Sequence, residues 1–312
     1  MDLIQQASLL IKEGKLVAFP TETVYGLGAD ARNDKAVASI FEAKGRPQFN
    51  PLISHVSSVE MLESFVFLTD KALDLIKAFW PGSLTLVLKR KETDKPVSYL
   101  VSAGLDTAAV RMPDHKMALD LIEASGCPIA APSANPSGTL SPTCAQDVEK
   151  TLGSKVDMIL DGGCCRVGVE STVLLMTEET PVCLRPGGLA LEEIEAKIGP
   201  VLISSGTSSA PRSPGQLLSH YAPFRDLRMN ALDKKEGEAY LAFGAFNGVE
   251  ADLNLSPSGD LKEAAANLFR MIRQLDREPF QSIAVAPVPL NGLGLAINDR
   301  LKRAAYPRSY PR

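Results

Sequence analysis

Short apolar runs alternate along the chain with stretches of helical periodicity. Leu3, Ile4, Ala7, Leu10 and Ile11 recur at helical spacing, which predicts an amphipathic helix before the turn at Gly14. Leu16 to Phe19 is a β-type run closed by Pro20, and helical periodicity returns from Lys35 to Lys44. Pro51 to Val56 and Leu84 to Leu88 predict strands on either side of a helix from Ala72 to Phe79, which Trp80-Pro81-Gly82 ends. Further strands are expected at Ala108 to Arg111, Ile129 to Ala131, Met158 to Leu160 and Thr172 to Met176. Helices fall between them at Met117 to Ser125 and Gln146 to Leu152. This alternation predicts an α/β fold, a sheet layered with helices.

The pattern fails from Leu202 to Pro214, where Ser, Pro and Gly accumulate without apolar periodicity and the chain reads as a linker. Beyond it, Tyr240 to Ala245 and Ser282 to Ala286 predict strands around a helix from Asp260 to Asp276. Leu261, Ala265, Leu268, Phe269, Ile272 and Leu275 line one face of that helix. A last helix, Ala296 to Ala305, completes a small α/β domain. The expected division is a catalytic domain over 1–202, a linker over 203–228 and a C-terminal domain over 229–312.

Composition changes this picture little. A length of 312 residues suits two domains with separate cores. With 33 Lys and Arg against 37 Asp and Glu, the net charge of −4 gives no general basic field, so any anion site is local. The acidic start and interrupted apolar runs resemble neither a signal peptide nor a membrane span. Five cysteines without a C-x-x-C pair indicate neither a zinc ribbon nor a disulfide framework and fit a reducing cytoplasm. Three histidines make a histidine-rich metal centre a poor reading.

The phosphate-loop, dinucleotide, G-x-S-x-G and H-E-x-x-H signatures are absent, and Gly26 with Gly28 alone would be a turn. What stands out is polar and cationic residues beside strand ends in apolar, Pro- and Gly-rich segments: Thr21-Glu22-Thr23, Lys44-Gly45-Arg46-Pro47, Arg111-Met112-Pro113, Ser133-Ala134-Asn135, Ser171-Thr172 and Arg185-Pro186-Gly187. Open α/β sheets bind ligands beyond their strand ends. Lys44, Arg46, Arg111 and Arg185 together could hold a triphosphate. Taken singly, each has a plainer explanation: an arginine is usually solvated, Thr21 to Thr23 could cap a helix, and Lys44 could balance a helix dipole. Their joint order carries the functional reading.

In that order the chain resembles the YrdC-like family of threonylcarbamoyl-AMP synthases, in its long two-domain form. The landmarks are Phe19-Pro-Thr-Glu-Thr-Val-Tyr-Gly-Leu-Gly28, Lys44-Gly-Arg-Pro47 with Asn50-Pro-Leu-Ile53, Trp80-Pro-Gly-Ser-Leu-Thr85, Arg111-Met-Pro113, Pro132-Ser-Ala-Asn135, Glu170-Ser-Thr-Val173 and Arg185-Pro-Gly187. The long form adds Ser213-Pro-Gly-Gln-Leu-Leu-Ser-His-Tyr-Ala-Pro223, Leu253-Asn-Leu-Ser-Pro257 and Gly292-Leu-Gly-Leu-Ala-Ile-Asn298. The resemblance implies a twisted mixed sheet with a large concave cleft, followed by a small Rossmann-like α/β domain.

It also implies that L-threonine, bicarbonate and ATP give threonylcarbamoyl-AMP and pyrophosphate, for modification of adenosine beside the tRNA anticodon. Thr23, His55, Arg111, Ala131 and Ser171 match threonine positions, although Ala131 stands where the family often has a hydroxyl. Lys44, Arg46, Asn50, Thr107, Ser133, Asn135, Ser141 and Arg185 match ATP-site positions, with Lys44, Arg46 and Arg111 expected to carry the catalysis. His220 and Tyr221 are expected either to close over ATP or merely to hold the domains together. Magnesium is expected on the phosphates, with no side chain named as its ligand. The product would pass to the tRNA threonylcarbamoyl transferase machinery, with no membrane association and no stable nucleic-acid complex.

Two other readings compete. An RNA-binding module is opposed by the acidic balance and by aromatics at only 6%. A carbamoyl-adenylate activity of hydrogenase maturation would bring zinc-finger and acylphosphatase modules, which are absent.

Overall fold

The computed structural model describes residues 2–94, 96–204, 220–245 and 248–307. A ten-stranded mixed sheet organises the first part of the chain. Its spatial order is Leu202–Ile203, Val182–Arg185, Thr172–Leu175, Leu84–Lys89, Thr107–Arg111, Ile53–His55, Ile129–Ala130, Gly26–Asp30, Val17–Phe19 and Met158–Ile159. Thr107–Arg111 runs parallel to Ile53–His55 and antiparallel to Leu84–Lys89, while Leu84–Lys89 runs parallel to Thr172–Leu175. Both margins of the sheet are strands of two residues, and at one of them Leu202 and Ile203 are 57% and 63% exposed.

Helices cover the sheet where the periodicity predicts them. The first spans Leu3–Lys12, capped by the Asp2 carboxylate on the Gln5 N–H, and buries Ala7 and Ile11. Asp34–Lys44 starts on the Asn33 side chain and ends at Gly45, whose φ of +60° is the left-handed region that glycine enters without strain. That turn puts Lys44 and Arg46 on either side of a helix end and sends both inward, where they are 4% and 7% exposed.

The second sheet has four strands, all parallel, in the order Asp226–Arg228, Ser282–Val285, Glu238–Ala242 and Leu253–Asn254. Leu261–Leu275 packs on it through Ala264, Ala265, Leu268, Phe269, Ile272 and Leu275, the face expected except that Leu261 is only partly buried. Gly294–Ala304 is the closing helix.

Several elements depart from the pattern. Gly26–Asp30 is a strand rather than a turn. Glycine is needed there because a Cβ at Gly28 would come within 2.8 Å of both Phe19 and Ile129. Val182–Arg185, Leu191–Ile198 and Leu253–Asn254 were not expected as elements. The expected linker takes in strand residues at both ends: its first limit divides Leu202–Ile203, which pairs with Val182 and Cys183, and it contains all of Asp226–Arg228, which pairs with Ser282 to Ala284. Backbone pairing along a sheet edge needs no apolar periodicity, so these strands escape a hydrophobic pattern. Of the linker motif, 213–219 lies outside the described residues.

One of the apolar cores spans both parts. Val24, Leu140 and Val169 of the first pack with Tyr221, Leu268, Phe269 and Ile297 of the second. Gly168 lets the surfaces meet: its φ is +75°, and a Cβ there would lie 2.5 Å from the Ala265 carbonyl oxygen and Ala266 Cα. Backbone strain and steric overlap together should make Gly168→Ala cost about 2–4 kcal/mol. Urea unfolding should show a lower midpoint with an unchanged slope.

Candidate active site

The strand ends of the first sheet converge on a cavity lined by Thr21, Thr23, Arg46, His55, Arg111, Ala131, Ser133, Glu170, Ser171, Arg185, His220 and Tyr221, among others. Alternation along the strands explains the gathering, because residues two apart share a face. His55 lies opposite Arg111, and Ile53 and Val87 lie opposite Ala109. The Thr85 and Ser171 hydroxyls bond at 2.7 Å on the neighbouring strands. The face is thus cationic and polar at one end and apolar further along, where Ile53, Val87, Ala109, Val173 and Leu175 cluster.

Arg111 is the most tightly held cation. Its Nε donates to the Gly82 carbonyl at 3.0 Å and its Nη1 to the Thr23 hydroxyl at 2.9 Å. Nη2 stands 2.5 Å from Glu22 Oε1, an ion pair at 4% and 1% side-chain exposure, but makes no aligned hydrogen bond. Glu22 is itself fixed by the Ser83 hydroxyl and the Asp114 N–H. Burial alone would raise the Glu22 pKa, but the Arg111 guanidinium overrides it and holds the carboxyl below its ordinary value.

Lys44 Nζ donates to the carbonyls of Ser133, at 2.5 Å, and Asn135. No carboxylate offsets its burial, and with Arg46 nearby its pKa falls well below that of an ordinary lysine. Arg46 donates to the carbonyls of Asn50, at 3.2 Å, and Pro51, at 2.9 Å. Burial lowers its pKa to about 10, so it stays charged at neutral pH. Arg185 donates to the Ser171 carbonyl at 2.8 Å. His55 and His220 are both pushed down to about 3, first by burial, and are neutral near pH 7. The two histidines therefore add no positive charge to the site near pH 7.

Seven residues of the threonine and ATP sets line the cavity with His220 and Tyr221: Thr23, Arg46, His55, Arg111, Ser133, Ser171 and Arg185; Ala131 lines it too, buried and without a side-chain donor. Lys44, Asn50, Asn135 and Ser141 stand directly behind the lining, each bonded to or adjacent to one of its residues. Thr107 is apart. It shares the face of Ala109 and Arg111 but lies four residues away, about 13 Å along the strand and beyond the apolar cluster. The residues missed at the sequence level are the carboxylates Glu22 and Glu170, which neutralise cations. Their positions within the T-E-T and E-S-T segments were the available signal.

His220 and Tyr221 form part of the same lining, with ring centroids 4.1 Å apart and Tyr221 against Phe269 at 5.5 Å. The enclosed space is then only about 40 Å³. An open groove of about 1010 Å³ runs elsewhere, past Asp30, Phe49 and Tyr99, but none of the buried cations borders it. Lys44, Arg46, Arg111 and Arg185 are all under 8% exposed, which suits a small enclosed anion and not a nucleic-acid strand. Among the described residues, no cluster of three or more His, Cys, Asp or Glu could hold a metal ion, and no helix is long and apolar enough to cross a membrane.

A family model described as telomere recombination, for the Sua5/YciO/YrdC domain, matches residues 9–187. A second, described as the threonylcarbamoyl-AMP synthase C-terminal domain, matches 189–306. The chain is 45% identical to a threonylcarbamoyl-AMP synthase of Pyrococcus abyssi, over 97% of its own length and 94% of the relative's. It is 44% identical to the Bacillus subtilis threonylcarbamoyl-AMP synthase, over 97% and 92%. The crystal structure of P. abyssi Sua5 complexed with L-threonine superposes with a TM-score of 0.89 at 44% identity, covering 97% and 94% of the two chains. In fold, in the order of its landmarks and along nearly its whole length, the chain belongs to the threonylcarbamoyl-AMP synthase family, in the form that joins a Sua5/YciO/YrdC domain to a Sua5 C-terminal domain.

Proposed function

We propose that this protein joins L-threonine, bicarbonate and ATP into threonylcarbamoyl-AMP and pyrophosphate, for threonylcarbamoyl modification of adenosine next to the tRNA anticodon. One observation carries the reading. Buried polar atoms without a hydrogen-bond partner gather here: Nδ2 and Oδ1 of Asn50, Nδ1 of His55, Oδ1 of Asn135 and Nδ1 of His220. Orphaned groups of this kind are costly, and a polar ligand that satisfies them recovers the cost.

Arg111, with Thr23, His55 and Ser171, takes the threonine carboxylate and hydroxyl; a planar guanidinium is a good carboxylate partner. At the Ala131 position backbone alone contacts threonine. Lys44, Arg46 and Arg185 take the triphosphate, with Asn50 and Ser133 as neutral donors, while Asn135 and Ser141, whose donors are engaged by Thr139 and Glu170, shape the site behind them. The apolar stretch from Ile53 to Leu175 supports the adenosine, with Thr107 at its far end.

The threonine amine takes up bicarbonate with loss of water to give an N-carboxy group. A carboxylate oxygen then attacks the α-phosphorus, and the bond to pyrophosphate breaks. Nucleophile and electrophile are both anions, so the chain contributes charge neutralisation and alignment rather than a covalent intermediate. Glu22 and Glu170 are each engaged by an arginine and would not hold magnesium, which would act only as a counterion to the phosphates. His220 and Tyr221 close over ATP and exclude water from the labile product. The product passes to the transferase machinery that modifies tRNA in the cytoplasm.

Purified protein should release pyrophosphate from ATP only when threonine and bicarbonate are both present, and serine should replace threonine poorly. Release without threonine, or none under any combination, would overturn the assignment.

A further inference from the structure

Glu170 is a carboxylate in the wall that the proposed function gives to ATP, and the cation that neutralises it comes from the other domain. Its Oε1 accepts the Ser141 hydroxyl, and its Oε2 accepts Arg300 Nε at 2.8 Å. Arg300 belongs to Gly294–Ala304, the closing helix of the second domain, yet it is 1% exposed. Its Nη1 donates to the Pro186 carbonyl at 2.6 Å and to Asp299 at 2.9 Å, and its guanidinium lies 5.3 Å from the centre of the Tyr221 ring. One side chain thereby joins the E-S-T segment, the R-P-G segment and the closing tyrosine.

A lone carboxylate in this water-poor pocket would repel a triphosphate and draw on Arg185, the cation next along the wall. A second cross-domain arginine does no such work. Arg273 binds Asp147 at 2.9 Å and the Ser141 carbonyl at 3.1 Å, without touching Glu170 or Tyr221. Domain attachment therefore has its own fastening.

We propose that Arg300 is a positioning residue for the reaction: from the second domain it neutralises Glu170 and seats Tyr221, so that ATP meets a wall free of net negative charge. The second domain is then part of the active site. This inference rests on the assignment of that wall to ATP.

Steady-state pyrophosphate release by the full chain tests it in wild type, Arg300→Met, Arg273→Met and the double variant Arg300→Met/Glu170→Gln. Arg300→Met should raise KM for ATP at least about tenfold while KM for threonine changes less than about threefold. The double variant, in which the Glu170 charge is removed with its partner and Asp299 keeps Arg303 at 2.9 Å, should return KM for ATP to within about threefold of wild type. Arg273→Met should lower thermal stability with little change in KM. An unchanged KM for ATP in Arg300→Met, or a double variant no better than the single, would reduce Arg300 to a strut between domains. If Arg300→Met fails to fold, the double variant decides alone, and a tenfold rise in its KM for ATP refutes the inference. Wild-type protein that releases no pyrophosphate would instead remove the functional reading beneath it.

Discussion

Arg111→Ala should lower kcat/KM for pyrophosphate release about 10³-fold, the scale expected when a charged anchor is removed from an enclosed site. The guanidinium spans the Gly82 carbonyl, the Thr23 hydroxyl and Glu22, so the change removes an anchor and also strands a buried carboxylate. An unpaired charge at that depth costs about 3–5 kcal/mol of stability, which confounds a simple reading of lost activity. Arg111→Met with Glu22→Gln separates the two effects. The pair is then neutral and thermal stability should largely return, while calorimetric threonine binding and turnover stay lost. Activity returning with stability would show that Arg111 serves the fold alone.

Replacing Lys44 by Met should produce a comparable loss of turnover together with a protonic signature. Lys44 is buried among carbonyls, first desolvated and then opposed by Arg46, so its pKa in the free protein is depressed. A triphosphate beside it favours the charged form, and the bound state therefore carries more protons than the free state. By linkage, ATP binding takes up a proton, and affinity weakens as pH rises from the depressed pKa toward the ordinary lysine value. Titration calorimetry in buffers of different ionisation enthalpy should show the uptake in wild type and its reduction in Lys44→Met. Equal proton uptake in the two proteins would exclude Lys44 as the titrating group.

The cations were legible in the sequence because each sits within two residues of Pro or Gly, as in Lys44-Gly45-Arg46-Pro47 and Arg111-Met112-Pro113, and their order matched one family. Their counter-charges were not. Glu22 lies one residue from Thr23, but its pairing with Arg111 spans the sheet, and Glu170 meets its arginine 130 residues later in the chain. Local pattern carries no information about such pairings, which exist only once the first domain has folded, for Glu22, or the two domains have docked, for Glu170. The same limit explains the strand Gly26–Asp30, where two glycines that mimic a turn are required by the packing of Phe19 and Ile129 against the backbone. The strand Thr107–Arg111 was legible from its short apolar run instead, because Ala108 to Val110 are buried on both faces of the sheet.

The two-residue strands at the margins of the ten-stranded sheet bear on how the protein behaves at high concentration. A sheet of this width would ordinarily present two long rows of unpaired amides and carbonyls, the template on which chains stack into aggregates. Here each row is cut to two residues. A second molecule that added a strand beside Leu202 and Ile203 would gain few backbone bonds, so their exposed side chains sit where strand-by-strand growth has almost nothing to extend.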